Sequence, residues 1–298
     1  MTAFADIDLG KLPAPDLVET LDFEAIYAAA VADLQALWPQ WDALVESDPA
    51  VKLLQVFAYR ELVLRQRVND AARATHLAFA EGSNLDHIAA LFGVARAVAT
   101  PADPNAVPPV AAVLEDDARL RRRVQLALEA STAAGTSGRY AFFAMGADAR
   151  VADVAVASPF PGAVDVTILV DPAHEAEAAA VLAAVDAKLQ AEDVRTLTDT
   201  VFTRLAVERP YSVAAELSLA PGAGQQTALD AASAALSAYT AERYRIGRMV
   251  PRSALIAALH VEGVERVALA SPAADIDTAR FEVARPNALT VAAESADG

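Results

Sequence analysis

The residues after Ser47-Asp48-Pro49 constrain this chain most, because their pattern fits a long helix with more apolar surface than one neighbour covers. Asp48 offers a carboxylate to the free amides of a first turn, and Pro49 suits the first helical position, where no N–H is required. No glycine or further proline interrupts the run before about Ala80. Leu53, Phe57 and Leu64 share one face, and Val51, Leu54, Ala58 and Leu62 line an adjoining one. So wide an arc needs cover on both sides. The polar residues of this helix are mostly basic, Lys52, Arg60, Arg65, Arg67 and Arg73 against Glu61 and Asp70. A basic stripe is either a solvated face making internal ion pairs or a contact for an acidic surface, and spacing alone does not choose.

That helix runs against the trend of the chain. With 24 basic and 40 acidic residues the net charge is -16, which argues against a phosphate backbone as the main ligand. The 298 residues include no cysteine, so disulfides, thiolate metal sites, iron–sulfur clusters and cysteine nucleophiles are excluded. The longest apolar run, Ala178 to Val185 between Glu177 and Asp186, is far short of the roughly 20 residues that span a bilayer. Asp6 and Asp8 stand where a secretion signal needs a basic start and an apolar core, so export by that route is not expected.

Punctuation divides the chain. A first helix is predicted over about 22–38, the long one comes next, and a short one spans Leu85 to Leu91. Four prolines between Pro101 and Pro109 forbid helix and central strand, so 96–112 reads as a semi-extended linker between a helical arm (1–95) and the remainder of the chain. Helices are predicted over Glu115 to Ser131 and through Phe143 and Met145. Strands are predicted at Val164–Val170 and Tyr211–Leu219, both half-buried by their alternation, and at Thr200–Val207. Further helices span Asp171 to about Gln190, Gln225 to Tyr244, and the stretch from Pro251. Val151 to Pro159 matches Val264 to Pro272 at six of nine positions, each after a predicted helix. Duplication of one small unit explains the match, and so does chance between Ala/Val segments; the shared Ser-Pro ending favours duplication. The expected fold class is α+β: an N-terminal helical arm, then two small duplicated α/β modules at 113–205 and 206–298.

Chemistry-bearing patterns are scarce. His76, His87, His174 and His260 are isolated in sequence, with no paired-ligand spacing. Gly222-Ala223-Gly224 opens an incomplete dinucleotide fingerprint, and Gly135-Thr136-Ser137-Gly138 comes after a helix where a nucleophile elbow needs a strand. Glu115-Asp116-Asp117 at a helix start suits the macrodipole and solvent better than a cation. No catalytic residue, metal site or cofactor is expected.

Several strings resemble the baseplate assembly protein J family of contractile-tailed bacteriophages. They include Leu12-Pro13-Ala14-Pro15-Asp16-Leu17-Val18-Glu19, Glu46-Ser47-Asp48-Pro49, Val51-Lys52-Leu53-Leu54-Gln55 and Arg65-Gln66-Arg67-Val68-Asn69-Asp70-Ala71-Ala72-Arg73-Ala74. Thr100-Pro101-Ala102-Asp103, Glu192-Asp193-Val194-Arg195 and Ala257 to Val267 extend the likeness, which fades after about Ile276. The resemblance implies a non-enzymatic wedge subunit in the baseplate of a phage or phage-like particle, assembled in the host cytoplasm. It implies partners resembling the I and W components, met through a helical bundle, and neighbouring copies that close a ring around a central hub. Nucleic acid and membrane are not among the implied partners.

Val51, Leu54, Phe57, Ala58 and Leu62 on the long helix are the candidate interface residues. Leu255, Ile256, Leu259 and Val261 on the short helix after Pro251 are either ordinary core or a second chain-to-chain contact. Two rival expectations stand beside this reading: a soluble α/β enzyme or binding protein holding a small molecule near Gly222 to Thr227, and a different structural protein of the same tail.

Overall fold

A computed structural model describes residues 9, 12–13, 19–41, 45–130, 135–220, 222 and 224–294. The chain forms two compact units. Of the described residues, one holds those up to Arg96 together with Asp116–Gln125; the other holds Ala97–Glu115 and those from Leu126 onward.

The first unit is helical: α1 (Phe23–Leu37), α2 (Pro49–Ala74), α3 (Gly82–Leu91) and the opening turns of α4 (Asp117–Ala130). Asp22 and Asp48 cap their helices by accepting the amides of Ala25 (3.0 Å) and Ala50 (2.7 Å), and Pro49 occupies the first turn as expected. α1 packs on α2, with Ile26, Val51 and Ala58 buried. α2 ends at Ala74, short of the expected Ala80. Thr75 Oγ1 donates to the carbonyl of Ala72, and the Arg121 guanidinium donates to the carbonyls of Leu77 and Ala80, both at 2.7 Å. Those carbonyls belong to a turn held by a side chain from α4. Arg96 is clamped between Asp86 and Asp117, each at 2.7 Å, and Asp117 also accepts the amide of Gly82. That amide and Arg96 hold the Asp117 carboxyl below the usual carboxylate range.

The second unit opens with the proline-rich segment, which is not the semi-extended linker the prolines suggest. Val98–Thr100 (β1) pairs antiparallel with Val113–Leu114 (β2), and Asp103 and Val110 exchange backbone hydrogen bonds at 2.9 and 3.0 Å. The segment folds back on itself. Pro104, Pro108 and Pro109 lie inside the excursion, and the residues that pair have free N–H groups.

Two three-stranded sheets complete the unit. The first has the order β3 (Val151–Ala157), β4 (Ala163–Val170), β5 (Thr200–Leu205), with α5 (Ser137–Ala147) before β3 and α6 (Ala178–Gln190) between β4 and β5. β4 is buried at every residue, not at alternate ones. Val166 and Ile168 pack with Tyr140, Val181 and Val185, while Leu169 on the other face packs with Ile246 and Val283. The second sheet has the order β7 (Val264–Ser271), β6 (Val207–Leu219), β8 (Glu282–Ala293), beside α7 (Gln225–Arg243) and α8 (Arg252–Leu259). Here the alternation holds: Tyr211, Val213, Ala215 and Leu217 are buried, and Ser212 and Glu216 face solvent. The expected strand over Thr200–Val207 breaks at Ala206, whose amide donates to Ile168 while the chain passes from one sheet to the other.

The repeated segments form β3 and β7. Each is an edge strand that comes after a helix, antiparallel to a central strand that pairs in parallel on its other side. The chain order differs: β3 turns directly into its central strand, whereas β7 reaches a central strand that precedes it in sequence. Asp153 in the first sheet accepts the amide of Ile246 at 2.9 Å, Arg204 lies over the Phe281 ring, and Arg285 of β8 pairs with Glu175 in the segment between β4 and α6. These contacts join the two sheets.

Candidate interaction surfaces

α2 is built with two apolar faces, and the chain closes one of them. On the closed face, Val51 is 2% exposed and Ala58 1%, and the buried Asn69 clamps the strand of chain that leads into α1. Asn69 Oδ1 accepts the amide of Glu19 (2.7 Å) and Nδ2 donates to the Glu19 carbonyl (2.8 Å). Arg65 reinforces that edge with Glu61 and Glu19.

The opposite face stays open. Leu53, Val56, Phe57, Leu64 and Val68 recur at helical spacing and are each more than half exposed, Phe57 at 64% and Leu64 at 60%. Arg60 and Arg67 fall within the same stripe, and neither takes an ion pair among the described residues. Isolated exposed apolar side chains are ordinary; a continuous stripe along several turns of one helix is the pattern of a candidate interaction surface.

The candidate interface residues therefore divide. Phe57 lies on the open stripe, Leu54 is half-buried between the two faces, Leu62 is half-buried on the closed face, and Val51 and Ala58 belong to the chain's own interior. Leu53 and Leu64 are named by the periodicity. Val56 and Val68 complete the same row and are missed by a reading that stops at the strongest positions. In the second unit, Leu255 and Leu259 are fully buried in the core formed with Leu217, Ala232 and Leu236, and Val261 packs on the same core. On this short helix Ile256 is partly exposed.

The polar clusters are occupied by their own partners. A cavity of about 460 Å³ is lined by Asp148, Arg150, His174 and Glu177 together with residues 97–101 and 146–149. Arg150 is bound twice by Asp148 (2.6 and 2.9 Å) and once by Glu177, which raises its pKa further. His174 Nδ1 lies 3.7 Å from Glu177. Every charge lining the cavity faces an opposite charge, an arrangement that fixes a loop and presents no nucleophile beside a base. Glu115 accepts the amide of Ala97, and Asp116 that of Arg119, so the acidic run at the start of α4 serves local amides. Among the described residues no group of three histidines or carboxylates is placed to hold a metal. In the glycine segment, Ala223 lies outside the described residues, and Gly222 (φ +145°) and Gly224 lead directly into α7.

Residues 46–103 match the model of the Baseplate J-like N-terminal domain, and residues 211–292 that of the Baseplate J-like protein C-terminal domain. Baseplate protein J of Escherichia phage P2 is 46% identical over 277 residues, which span 91% of this chain and 92% of that relative. The open stripe of α2 falls in the first matched region and the β6–β8 sheet in the second, and with identity at this level along nearly the full length of both proteins the chain belongs to the baseplate J family.

Proposed function

We propose that this chain is a wedge subunit of a contractile-tail baseplate, held to neighbouring wedge proteins by the open stripe of α2 and to other copies by its two α/β sheets. Family membership makes it a structural component of a phage tail baseplate. The observation that carries the finer reading is the asymmetry of α2. One face is enclosed by the chain's own residues, and Leu53, Phe57 and Leu64 on the other remain more than half exposed. A partner that buries this stripe is an amphipathic helix, and Arg60 and Arg67 favour one with carboxylates beside its apolar seam. The proteins expected to supply it resemble the I and W components of related wedges. The role is one of assembly, without a reaction.

Co-expression tests the reading. The chain should co-purify with its I-like and W-like neighbours, and Phe57→Asp with Leu64→Asp should abolish recovery of the complex while leaving the chain folded. Deletion of the gene should yield tails without a complete baseplate. A double variant that still assembles at normal yield would remove α2 from the interface.

A further inference from the structure

The open edge of β8 is unlike the other sheet edges of this molecule. Of the four edge strands in the two three-stranded sheets, β3 carries the inward-facing Asp153, β5 carries Arg204 paired with Asp165, β7 carries Glu265 and Arg266, and the first half of β8 carries Glu282 and Arg285. Charges of this kind blunt an edge against pairing with another chain. β8 has two halves. At the start of the first, Ile246 bridges Val283 and Gly247 donates its amide to Glu282 at 2.8 Å, so the outer side there is closed by the chain itself. A register shift then passes over Asn287, as Tyr211 pairs with Pro286 and Ser212 with Ala288. Beyond it, Ala288-Leu289-Thr290-Val291-Ala292-Ala293 pairs with β6 on one side and with no described strand on the other. This run has no charge, no proline and no glycine, in a chain of net charge -16.

The flanking charges are already spent. Arg285 pairs with Glu175 and Glu208, and Glu294 takes Arg266 at 2.6 Å and the hydroxyl of Ser218. We propose that the outer edge of β8 over Ala288–Ala293 pairs antiparallel with the same strand of a second copy, making one six-stranded sheet across a two-fold axis. Two chains of like net charge repel over most of their surfaces, and a neutral, self-complementary edge lets identical copies meet without opposing like charges. Leu289 and Val291 stand in register with Val213 and Ala215 over the core, and Thr290 and Ala292 with Ala214 and Glu216 on the other face. Antiparallel pairing about Thr290 or Val291 preserves both faces, because residues directly opposite share a side of the sheet. The inference rests on the reading of the chain as a self-associating baseplate subunit and adds the strand through which it self-associates.

The absence of native cysteine gives a clean test. In full-length chain, Thr290→Cys with Ala292→Cys places thiols opposite one another for either axis: 290 against 290, or 290 against 292. Mild oxidation should give a covalent dimer that a reductant reverses. The same pair of cysteines introduced at Ser212 and Glu216 should stay monomeric, since β6 is the central strand. Thr290→Lys should abolish concentration-dependent dimerisation in sedimentation with an unchanged circular dichroism spectrum. A chain that stays monomeric at all concentrations and does not cross-link would overturn the inference, as would cross-linking to a different protein alone. Retention of the α2-dependent wedge partners in that experiment would leave the proposed function standing, so the two readings fail separately.

Discussion

Truncating Phe57 separates an assembly face from a folding face. A phenylalanine side chain buries roughly 150–250 Å² when enclosed. At 64% exposure, about 130 Å² is left for a partner to cover, worth about 3 kcal/mol at about 25 cal/mol per Å². Alanine would keep about a third of that, so Phe57→Ala should cost binding about 2 kcal/mol, close to a thirtyfold rise in Kd. The isolated chain should lose no more than about 0.5 kcal/mol, because the side chain makes little of its contact within the chain. Val51 offers the opposite case on the same helix. At 2% exposure its truncation leaves a cavity, and Val51→Ala should lower stability by about 2 kcal/mol. Urea unfolding of each variant, with titration calorimetry against the purified wedge partner, reads both quantities. If Phe57→Ala destabilised the isolated chain as much as Val51→Ala, or bound the partner with unchanged affinity, the division of α2 into closed and open faces would be refuted.

Asn69→Ala removes both hydrogen bonds to Glu19 and should lower the stability of the helical unit by about 1–3 kcal/mol, with faster amide exchange at Glu19. Asp153→Ala leaves the buried amide of Ile246 without this acceptor and should cost about 1–3 kcal/mol, seen as a lower Tm. The Tyr211 hydroxyl has no hydrogen-bond partner among the described residues, and burial, with Tyr239 nearby, pushes its pKa up to about 12. Its folded pKa lies above the unfolded value near 10, so the neutral form contributes stability that is full below about pH 10 and lost as pH rises through 12. Tyr211→Phe should leave stability at pH 7 equal or slightly higher and flatten its decline between about pH 10 and 12, as read from urea midpoints.

How much of the fold is legible in the sequence depends on how local its causes are. Asp22, Asp48 and Pro49 act within a turn of themselves, and the helices start where those residues say. The turn that follows α2 is held by Arg121, a residue more than forty positions along the chain, and no periodicity around Ala74 records it. β4 looks half-buried because Asp165 and Thr167 alternate with valine and isoleucine. Its second face is covered by Ile246 and Val283 from the other sheet, and the buried Asp165 pairs with Arg204. The matching segments 151–159 and 264–272 announce two edge strands, but not that β6 precedes the second of them. Pattern marked both faces of α2; only the packing of α1 could say which of them the chain keeps for itself.

The charge distribution differs between the two surfaces proposed as interfaces. A second α2 laid against the open stripe would bring Arg60 and Arg67 near their own copies in an apolar seam, where unpaired like charges are costly. A carboxylate-bearing helix of another protein meets the same stripe without that penalty. The outer half of β8 has the reverse character, since it offers no charge to a complementary partner and none to repel an identical one. The acidic bulk of the molecule discourages copies from meeting elsewhere. On the proposed reading, a chain with one basic apolar stripe and one neutral strand edge binds a different protein through its helical unit and its own kind through its sheets. Reversing the charge of Arg60 and Arg67 to glutamate should weaken the first contact while leaving β8-dependent dimerisation unchanged in sedimentation, and loss of both together would show that the surfaces are not independent.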